Sequence, residues 1–158
     1  MIRQIKQYEI EECVSVIKNS FKDIAEKFNI TKENSPNYVL FSTDSEKLKS
    51  QFNNGRLMFA AIDNESIIGY YSLDVSNKEC EINNLCVIHE YRHKGIGTML
   101  LKHAIIKAKE LELNKINISI VEENVKLKSW YEEFGFVHTH TQKFDFFSFT
   151  CGYMEMIL

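Results

Sequence analysis

The chain has 158 residues, 44% of them hydrophobic and 26% charged, and its formal net charge is −3. This composition suits a single folded domain over residues 1–158 and excludes a disordered chain, and the negative charge argues against general nucleic-acid binding, which needs a strong positive field. No window approaches the roughly 20 consecutive apolar residues of a membrane span, so we expect no membrane partner.

The first third of the chain is expected to form one strand and two helices. Residues 2–5 suit a short strand. Apolar residues at spacings of three and four predict a helix over residues 9–28, with room for a break near its middle. After a polar loop, a short helix is expected over residues 44–52, capped by Thr43 or Asp44.

The remaining two thirds are expected to form three strands in quick succession, a long helix, a strand, a short helix and a closing antiparallel pair. In residue numbers these elements are 57–62, 66–75, 79–88, 95–111, 116–121, 124–134, 136–141 and 147–157. The resulting order, β-α-α-β-β-β-α-β-α-β-β, is typical of a mixed α/β single domain rather than a regular doubly wound sheet.

The loop Arg92-His93-Lys94-Gly95-Ile96-Gly97 lies between the third of those strands and the long helix. The free amide groups and the dipole of a helix N-terminus favour a phosphate anion there. Glycine lets the backbone approach that anion closely, and the basic side chains of Arg92 and Lys94 add positive charge. The two glycines alone would equally suit an ordinary strand-to-helix turn.

Two other phosphate-binding motifs do not fit this loop. A dinucleotide fingerprint needs a third small residue three positions after the second glycine, and this position holds Leu100. A P-loop needs Gly-Lys-Ser/Thr after the turn, which is absent.

The loop resembles the Arg/Gln-x-x-Gly-x-Gly/Ala signature of the GNAT acetyltransferases at every fixed position. Residues 81–87 resemble the strand that precedes this loop in the family, with its Leu-x-Val ending, and Asn124, Trp130-Tyr131 and Gly135-Phe136 fit the family's second motif. The resemblance implies an α/β fold with a mixed, mostly antiparallel sheet, a central splayed parallel pair and flanking helices. It also implies acetyl-CoA as cosubstrate.

By this resemblance, the amides of the loop bind the CoA pyrophosphate, and the pantetheine arm runs as an extra strand along Leu85–Val87. A splay from residues 118–121 would leave amides free to polarise the thioester carbonyl. Asn124 would contact the arm, and it also suits a plain helix N-cap. The cofactor-binding residues expected on this basis are Leu85, Cys86, Val87, Arg92, His93, Lys94, Gly95, Ile96, Gly97, Thr98 and Asn124.

The resemblance also suggests catalytic roles. Tyr131 would protonate the leaving thiolate, although at helical spacing from other apolar residues it also suits the core. Glu81 matches a glutamate that is common on this strand in relatives and would serve as general base; the alternative is a surface carboxylate. Asn83 shares a face with Glu81 by strand alternation and could bind the acceptor or a water molecule.

The acceptor is expected to bind near the segment over residues 20–56, which covers the acetyl end of the site in relatives. Tyr38 and Phe41 are the candidate wall of this pocket. Acidic side chains of the segment could attract a cationic amine: Asp23, Glu26, Glu33 and Asp44. The aromatic run from Phe144 to Phe149 is expected to be core and strand edge, with a pocket wall or dimer contact as the alternative.

We therefore expect an N-acetyltransferase that transfers acetyl from acetyl-CoA directly to a primary amine of a small molecule or protein. A non-catalytic acyl-CoA-binding regulatory module, another acyl donor and a hydroxyl acceptor are the alternatives. No carboxylate-histidine spacing indicates a metal site. The first residues form no apolar signal core and the four cysteines include no C-x-x-C pair, so a reducing cytoplasm is expected, and a homodimer is compatible with the sequence.

Overall fold

A computed structural model describes residues 1–158. In chain order its elements are β1 (Ile2–Gln4), α1 (Ile10–Lys27), α2 (Val39–Ser42), α3 (Ser45–Asn53), β2 (Leu57–Asp63), β3 (Ser66–Ser76), β4 (Glu79–Val87), α4 (Ile96–Glu110), β5 (Lys115–Val121), α5 (Val125–Glu133), β6 (Val137–Lys143) and β7 (Thr150–Ile157). Short 3-10 turns precede α1 and follow β4. None of the helices is long and apolar enough to cross a membrane.

The seven strands form one sheet in the order β1-β2-β3-β4-β5-β7-β6. Every neighbouring pair is antiparallel except β4 and β5, which run parallel. These two strands pair only where residues 79–81 face residues 115–117, and beyond that point the pairing ends. The expected mixed sheet with a splayed central pair is therefore confirmed, and the splay opens toward the carboxyl ends of β4 and β5.

Helices cover both faces of the sheet and divide the core in two. On one face α1 and α3 pack Ile17 and Leu48 against the buried ring of Tyr70 on β3. On the other face α4 buries Leu100 and Leu101 against strands that include β5. Burial of these apolar side chains, each contributing roughly 1.5–3 kcal/mol, fixes both helices on the sheet. The helix α4 consequently begins at the mouth of the splay.

A β-bulge interrupts β4 at the start of the splay. Ser72 on β3 faces Asn83, but Tyr70 faces Cys86, so β4 carries one extra residue at this point. Asn84 takes up the bulge with a φ of +56°. Asparagine tolerates this left-handed conformation because its short polar side chain can bond locally.

The bulge resets the alternation of side chains along β4. Cys80 and Ile82 before it, and Leu85 and Val87 after it, all contact the core beneath α4. Without the extra residue, strict alternation would send Leu85 and Val87 to the opposite face. The bulge therefore determines that the side chains of Leu85 and Val87 face the core beneath α4 along the part of β4 that borders the splay.

The structure differs from the sequence predictions at three places. The short helix α2, which follows the polar loop, was not predicted. Helix α1 runs without the break for which its length leaves room, and within it the Ser20 hydroxyl donates to the Val16 carbonyl. Strand β7 begins at Thr150 rather than Phe147, because the ring of Phe147 stacks on Phe149 in a turn.

Gly69 on β3 lets α4 approach the sheet closely. A Cβ added at Gly69 would lie 2.9 Å from Leu100 Cδ1 and 3.0 Å from the Cys86 carbonyl oxygen. We expect Gly69→Ala to lower the free energy of unfolding by roughly 1–3 kcal/mol, the usual cost of overpacking. Urea unfolding measures this, and Ser66→Ala at the exposed start of the same strand should stay within about 0.5 kcal/mol of the native protein. Equal values for both variants would contradict the close approach.

Candidate active site

The loop between β4 and α4 has a backbone shaped to hold an anion. His93 has a φ of +61° and Gly95 a φ of +84°, so left-handed residues alternate along it. Alternation of this kind turns successive amide groups toward one concavity. A glycine is required at position 95 by this conformation rather than by a lack of space, because an added Cβ there would meet nothing within 4 Å.

Six consecutive amide groups in this loop are free. The N–H groups of residues 93–98 donate to no protein acceptor, and the first bond of α4 runs from the Met99 amide to the Gly95 carbonyl at 3.0 Å. Free amides at a helix start carry the positive end of the helix dipole. This group of six amides, the amide nest, is therefore suited to a phosphate or pyrophosphate.

Arg92 anchors the loop instead of facing the nest. Its guanidinium donates to Asp23 Oδ2 at 2.7 Å and to the backbone carbonyls of Ser20 and Val87. Its amide donates to the His89 carbonyl at 3.2 Å, so it does not join the six free ones. A hydrogen bond from His89 and the positive charge of Arg92 lower the pKa of Asp23. These contacts of Arg92 and His89 tie the loop to α1. The residues involved are far apart in the sequence, so no local pattern predicts the contact.

The side chains of Lys94 and Ile96 lie on the far side of the loop. Lys94 Nζ lies 5.0 Å from the centre of the Tyr91 ring, and the Tyr91 hydroxyl donates to Asp63 at 2.8 Å. Ile96 packs against the core. These two residues therefore offer the nest their backbone amides rather than their side chains.

A cavity of about 410 Å³ runs from the nest along β4. Its walls come from α1, β4, the loop, the start of α4 and α5. The lining residues are Ser20, Phe21, Ile24, Leu85, Cys86, Val87, Tyr91, Arg92, His93, Gly95, Gly97, Thr98, Asn124, Leu127 and Trp130. We call this space the cofactor cavity.

The edge of β4 that faces the cofactor cavity offers unpaired amides. The Ile88 amide donates to the Ile68 carbonyl on β3, so by alternation the polar groups of Val87 and Leu85 point to the opposite edge, into the splay. The Val87 carbonyl is already bonded to Arg92. The amides of Leu85 and Val87 are left as donors without a partner strand. Burial raises the pKa of the intervening Cys86 thiol to about 12, so that thiol stays neutral.

A second cavity of about 220 Å³ continues past the splay. We call it the acceptor cavity, and it joins the cofactor cavity at four shared residues of α1, α5 and the α5 cap: Phe21, Ile24, Asn124 and Leu127. Its other lining residues are Tyr38, Val39, Ile82, Asn83, Asn84, Ser119, Ile120, Val121, Phe147, Phe149 and Cys151.

Asn124 caps α5 and lies at the junction of the two cavities. Its Oδ1 accepts a hydrogen bond from the Leu127 amide at 3.3 Å, which caps α5. Its Nδ2 has no protein partner, and the side chain lines both cavities at their junction. A donor is thereby held at the point where the two spaces meet.

Tyr131 lies on α5 with its ring between Trp130 and Phe136, at centroid distances of 5.0 and 5.4 Å. Burial, with the neighbouring Cys86, raises the pKa of the Tyr131 hydroxyl, so it keeps its proton. This hydroxyl makes no hydrogen bond and is not among the polar atoms sealed from solvent. The residue itself lies outside the lining of both cavities.

Glu81 lies at the base of the splay, where β4 still pairs with both neighbours. It faces Asp74 on β3 and Asn117 on β5, and its side chain is half-buried without a hydrogen-bond partner. Burial and the charge of Asp74 raise the pKa of Glu81 above its usual value. Glu81 does not line the acceptor cavity, whereas Asn83, two residues along the same strand, does. The neighbouring Asn84, at the bulge, also lines it.

Of the two residues predicted to form the acceptor wall, Tyr38 lines the acceptor cavity and Phe41 does not. Tyr38 is 7% exposed and lines the acceptor cavity, where its ring meets Phe21 and Phe149 edge-on. Phe41 lies behind Tyr38 at a ring distance of 6.4 Å and does not line the cavity. Phe147 joins the lining, so the aromatic run before β7 supplies a pocket wall rather than a strand edge.

Comparison with known sequences connects this site to a family. A sequence model of the family described as acetyltransferase (GNAT) matches residues 22–136. YdhI, an uncharacterized protein of Bacillus subtilis, is 38% identical over 80 residues, and this match covers 49% of the chain and 48% of that protein. An uncharacterized N-acetyltransferase in the pepI 3′ region of Lactobacillus delbrueckii subsp. lactis is 22% identical, over 85% of the chain and 82% of its own length.

Solved structures with the same fold include two N-acetyltransferases. The PaiA N-acetyltransferase of Thermoplasma acidophilum, solved in complex with coenzyme A, matches with a TM-score of 0.86 and 22% identity over 100% of this chain and 98% of its own. The ribosomal-protein-alanine N-acetyltransferase of Brucella melitensis matches with a TM-score of 0.75 and 21% identity over 100% and 99% of the two chains. At such identities the likeness concerns the fold alone.

Proposed function

The chain belongs to the acetyltransferase (GNAT) family, and we propose that it transfers the acetyl group of acetyl-CoA directly to a primary amine. One observation carries this proposal above the others. The amide nest opens onto the unpaired edge of β4 within a single cavity, which continues into a second cavity at the splay. One cavity suits an acyl carrier with a pyrophosphate, and the other suits the group that receives the acyl unit.

The residues present fit acetyl-CoA. The six amides of the nest can hold the pyrophosphate oxygens, and the amides of Leu85 and Val87 can bond the pantetheine arm as a neighbouring strand would. Bound acetyl-CoA supplies an activated acyl group and a thiolate leaving group. An amide of β4 aimed at the thioester oxygen would stabilise the charge that develops there during amine attack.

An amine must lose a proton to attack and complete the transfer. Glu81 is our candidate base, since its raised pKa makes it a better proton acceptor than an exposed glutamate. Because it lies beside rather than within the acceptor cavity, we propose that it acts through a water molecule held by Asn83. Tyr131 is our candidate acid, because burial keeps its hydroxyl protonated and available to the departing sulfur.

Replacement of Glu81 should change the pH profile as well as the rate. Below its pKa the carboxyl is protonated and cannot accept a proton. The value of kcat/KM should therefore fall as the pH falls through the pKa of Glu81, which is raised above the ordinary glutamate pKa of about 4.3. Glu81→Gln should lower kcat/KM roughly 10²-fold and remove this acidic limb. The matched variant Glu79→Gln, on the same strand and paired with Lys115, should keep it. An acidic limb unchanged in Glu81→Gln would rule this base out.

The contact between Arg92 and Asp23 should influence cofactor binding indirectly. We expect Arg92→Ala and Asp23→Ala each to weaken acetyl-CoA binding about tenfold, and the double variant to lose no more than either one, since both release the loop from α1. Titration calorimetry measures all three. If the charge of Arg92 contacted the phosphates itself, Asp23→Ala would leave affinity unchanged or raise it, which would contradict the anchoring role.

The assignment of the cosubstrate is tested by comparing two nucleotide ligands. The wild-type protein should bind acetyl-CoA far more tightly than NAD in titration calorimetry, because the loop lacks the third glycine of a dinucleotide fingerprint. The reverse order would remove the basis of the proposal.

All four cysteines are free and buried, which supports our proposal of a cytoplasmic location.

A further inference from the structure

The acceptor cavity contains no charged side chain. Its lining is mainly aliphatic and aromatic, and its polar groups are three asparagine amides, Ser119, the Tyr38 hydroxyl and the Cys151 thiol. The acidic residues that the sequence offered for attracting a cation lie elsewhere. Asp23 is bonded to Arg92 and His89, Asp44 caps α3, and Glu26 and Glu33 are exposed. Glu81 lies beside the cavity as the candidate base for the reacting amine, so the further ammonium groups of a polycationic acceptor would find no counter-charge inside this space.

Hydrogen bonds and aromatic contacts join two segments that line one side of the cavity. The amide of Ser148, in the turn before β7, donates to Ser35 Oγ at 2.9 Å, and the two hydroxyls lie 3.1 Å apart. Ser35 is fully buried, and beside it the rings of Tyr38 and Phe149 meet edge-on at 5.5 Å. These contacts fasten the segment after α1 to the turn before β7. A small molecule fits within the cavity volume of about 220 Å³, whereas the chain that follows the reacting amine of a polypeptide would have to leave the cavity past these joined segments.

Charge and size together select the acceptor. Each further ammonium of a polyamine would be desolvated without a carboxylate partner, which is strongly unfavourable. An apolar body is instead stabilised in proportion to the apolar area that it buries. A volume of about 220 Å³ lies below the usual 300–1,000 Å³ of a drug-sized site. The asparagine and serine groups suffice to orient one amine.

We propose that the acceptor is a small amine with a single nitrogen on an apolar body, such as an arylalkylamine, and not a polyamine, an aminoglycoside or a protein. This inference rests on the proposed acetyl transfer and specifies its substrate class. Asn83 and Asn84 on β4 accept the hydrogen bonds of the amine, and Phe21, Tyr38, Phe147 and Phe149 surround its apolar body.

Thiol release from acetyl-CoA, measured with 2-phenylethylamine, spermidine and a short peptide with a free N-terminal alanine, tests the class. We expect kcat/KM for 2-phenylethylamine to exceed that for spermidine by at least roughly 10²-fold, because spermidine brings two further ammonium groups that would be buried without a partner. The peptide should be inert. An equal or higher kcat/KM for spermidine or the peptide would overturn the acceptor class and leave acetyl transfer intact. No thiol release with any of the three would also overturn the acceptor class, and acetyl transfer would fall with it only if a broad panel of amines released no thiol either.

A pair of variants at Ser119 separates charge from size. Ser119 is exposed at one edge of the cavity, so substitution there should preserve folding. Ser119→Asp supplies the missing counter-charge and should shift the kcat/KM ratio toward spermidine by about tenfold. Ser119→Asn adds similar volume without charge and should not shift the ratio toward spermidine. The same shift in both variants, or in neither, would overturn the charge argument.

Discussion

Gly95→Val should abolish measurable acetyl-CoA binding, with an affinity loss of at least roughly 10²-fold. Gly95 adopts a φ of +84°, a conformation in which a β-branched residue is strained by about 1–3 kcal/mol. Valine would relieve this strain by turning the backbone out of the left-handed region. The amides of the nest would then no longer point at one anion, and several charge-assisted hydrogen bonds would be lost together. Titration calorimetry with acetyl-CoA gives the result directly.

A matched control removes the ambiguity of a general loss of stability. Gly55, in the turn between α3 and β2, has a φ of +87° and, like Gly95, would place an added Cβ in open space. Gly55→Val should therefore lower the melting temperature as much as Gly95→Val does. It should leave acetyl-CoA affinity unchanged, because this turn lies outside the cofactor cavity. Equal affinities in the two variants would show that the nest does not bind the cosubstrate.

Tyr131→Phe should lower kcat roughly 10²-fold while changing acetyl-CoA affinity only a few-fold, as expected for loss of a general acid. The ring is held by Trp130 and Phe136, so phenylalanine should occupy the same space. Only the hydroxyl is lost, and with it the proton for the departing thiolate. Steady-state kinetics with an accepted amine, together with calorimetry, separates the two effects.

Tyr70→Phe is the corresponding control. The Tyr70 hydroxyl is buried without a hydrogen-bond partner on the α1 face of the sheet, so removing it should be neutral or stabilising. Its kcat should equal that of the wild-type protein. A kcat that is unchanged in Tyr131→Phe would assign that residue to the core and leave the thiolate to another donor.

The sequence predicts the parts of this molecule that local patterning controls. The 3.6-residue periodicity of α1 and α4, the alternation along β5 and the cap at Asn124 each depend on residues close in the chain. The loop from Arg92 to Gly97 is recognised by its resemblance to the GNAT signature, since its glycines alone would equally suit an ordinary strand-to-helix turn. These features give the order of the elements along the chain and the position of the nest.

The remaining features depend on contacts between distant parts of the chain. The tie between Asp23 and Arg92 and the bridge between Ser35 and Ser148 join segments far apart in sequence, and no local pattern encodes them. The bulge at Asn84 follows from how β4 must meet both β3 and the splay. Acidic residues near Tyr38 suggested a site for a cation, yet folding directs those carboxylates elsewhere and leaves aromatic rings around the cavity.

The central claim is that this chain uses acetyl-CoA to acetylate an amine. Its most direct test is to incubate the purified protein with acetyl-CoA and 2-phenylethylamine and to follow free thiol and N-acetylated product together. We expect thiol and amide to appear in equal amounts, and Gly95→Val to form neither. Tight binding of acetyl-CoA without amide formation from any amine of a broad panel would contradict it.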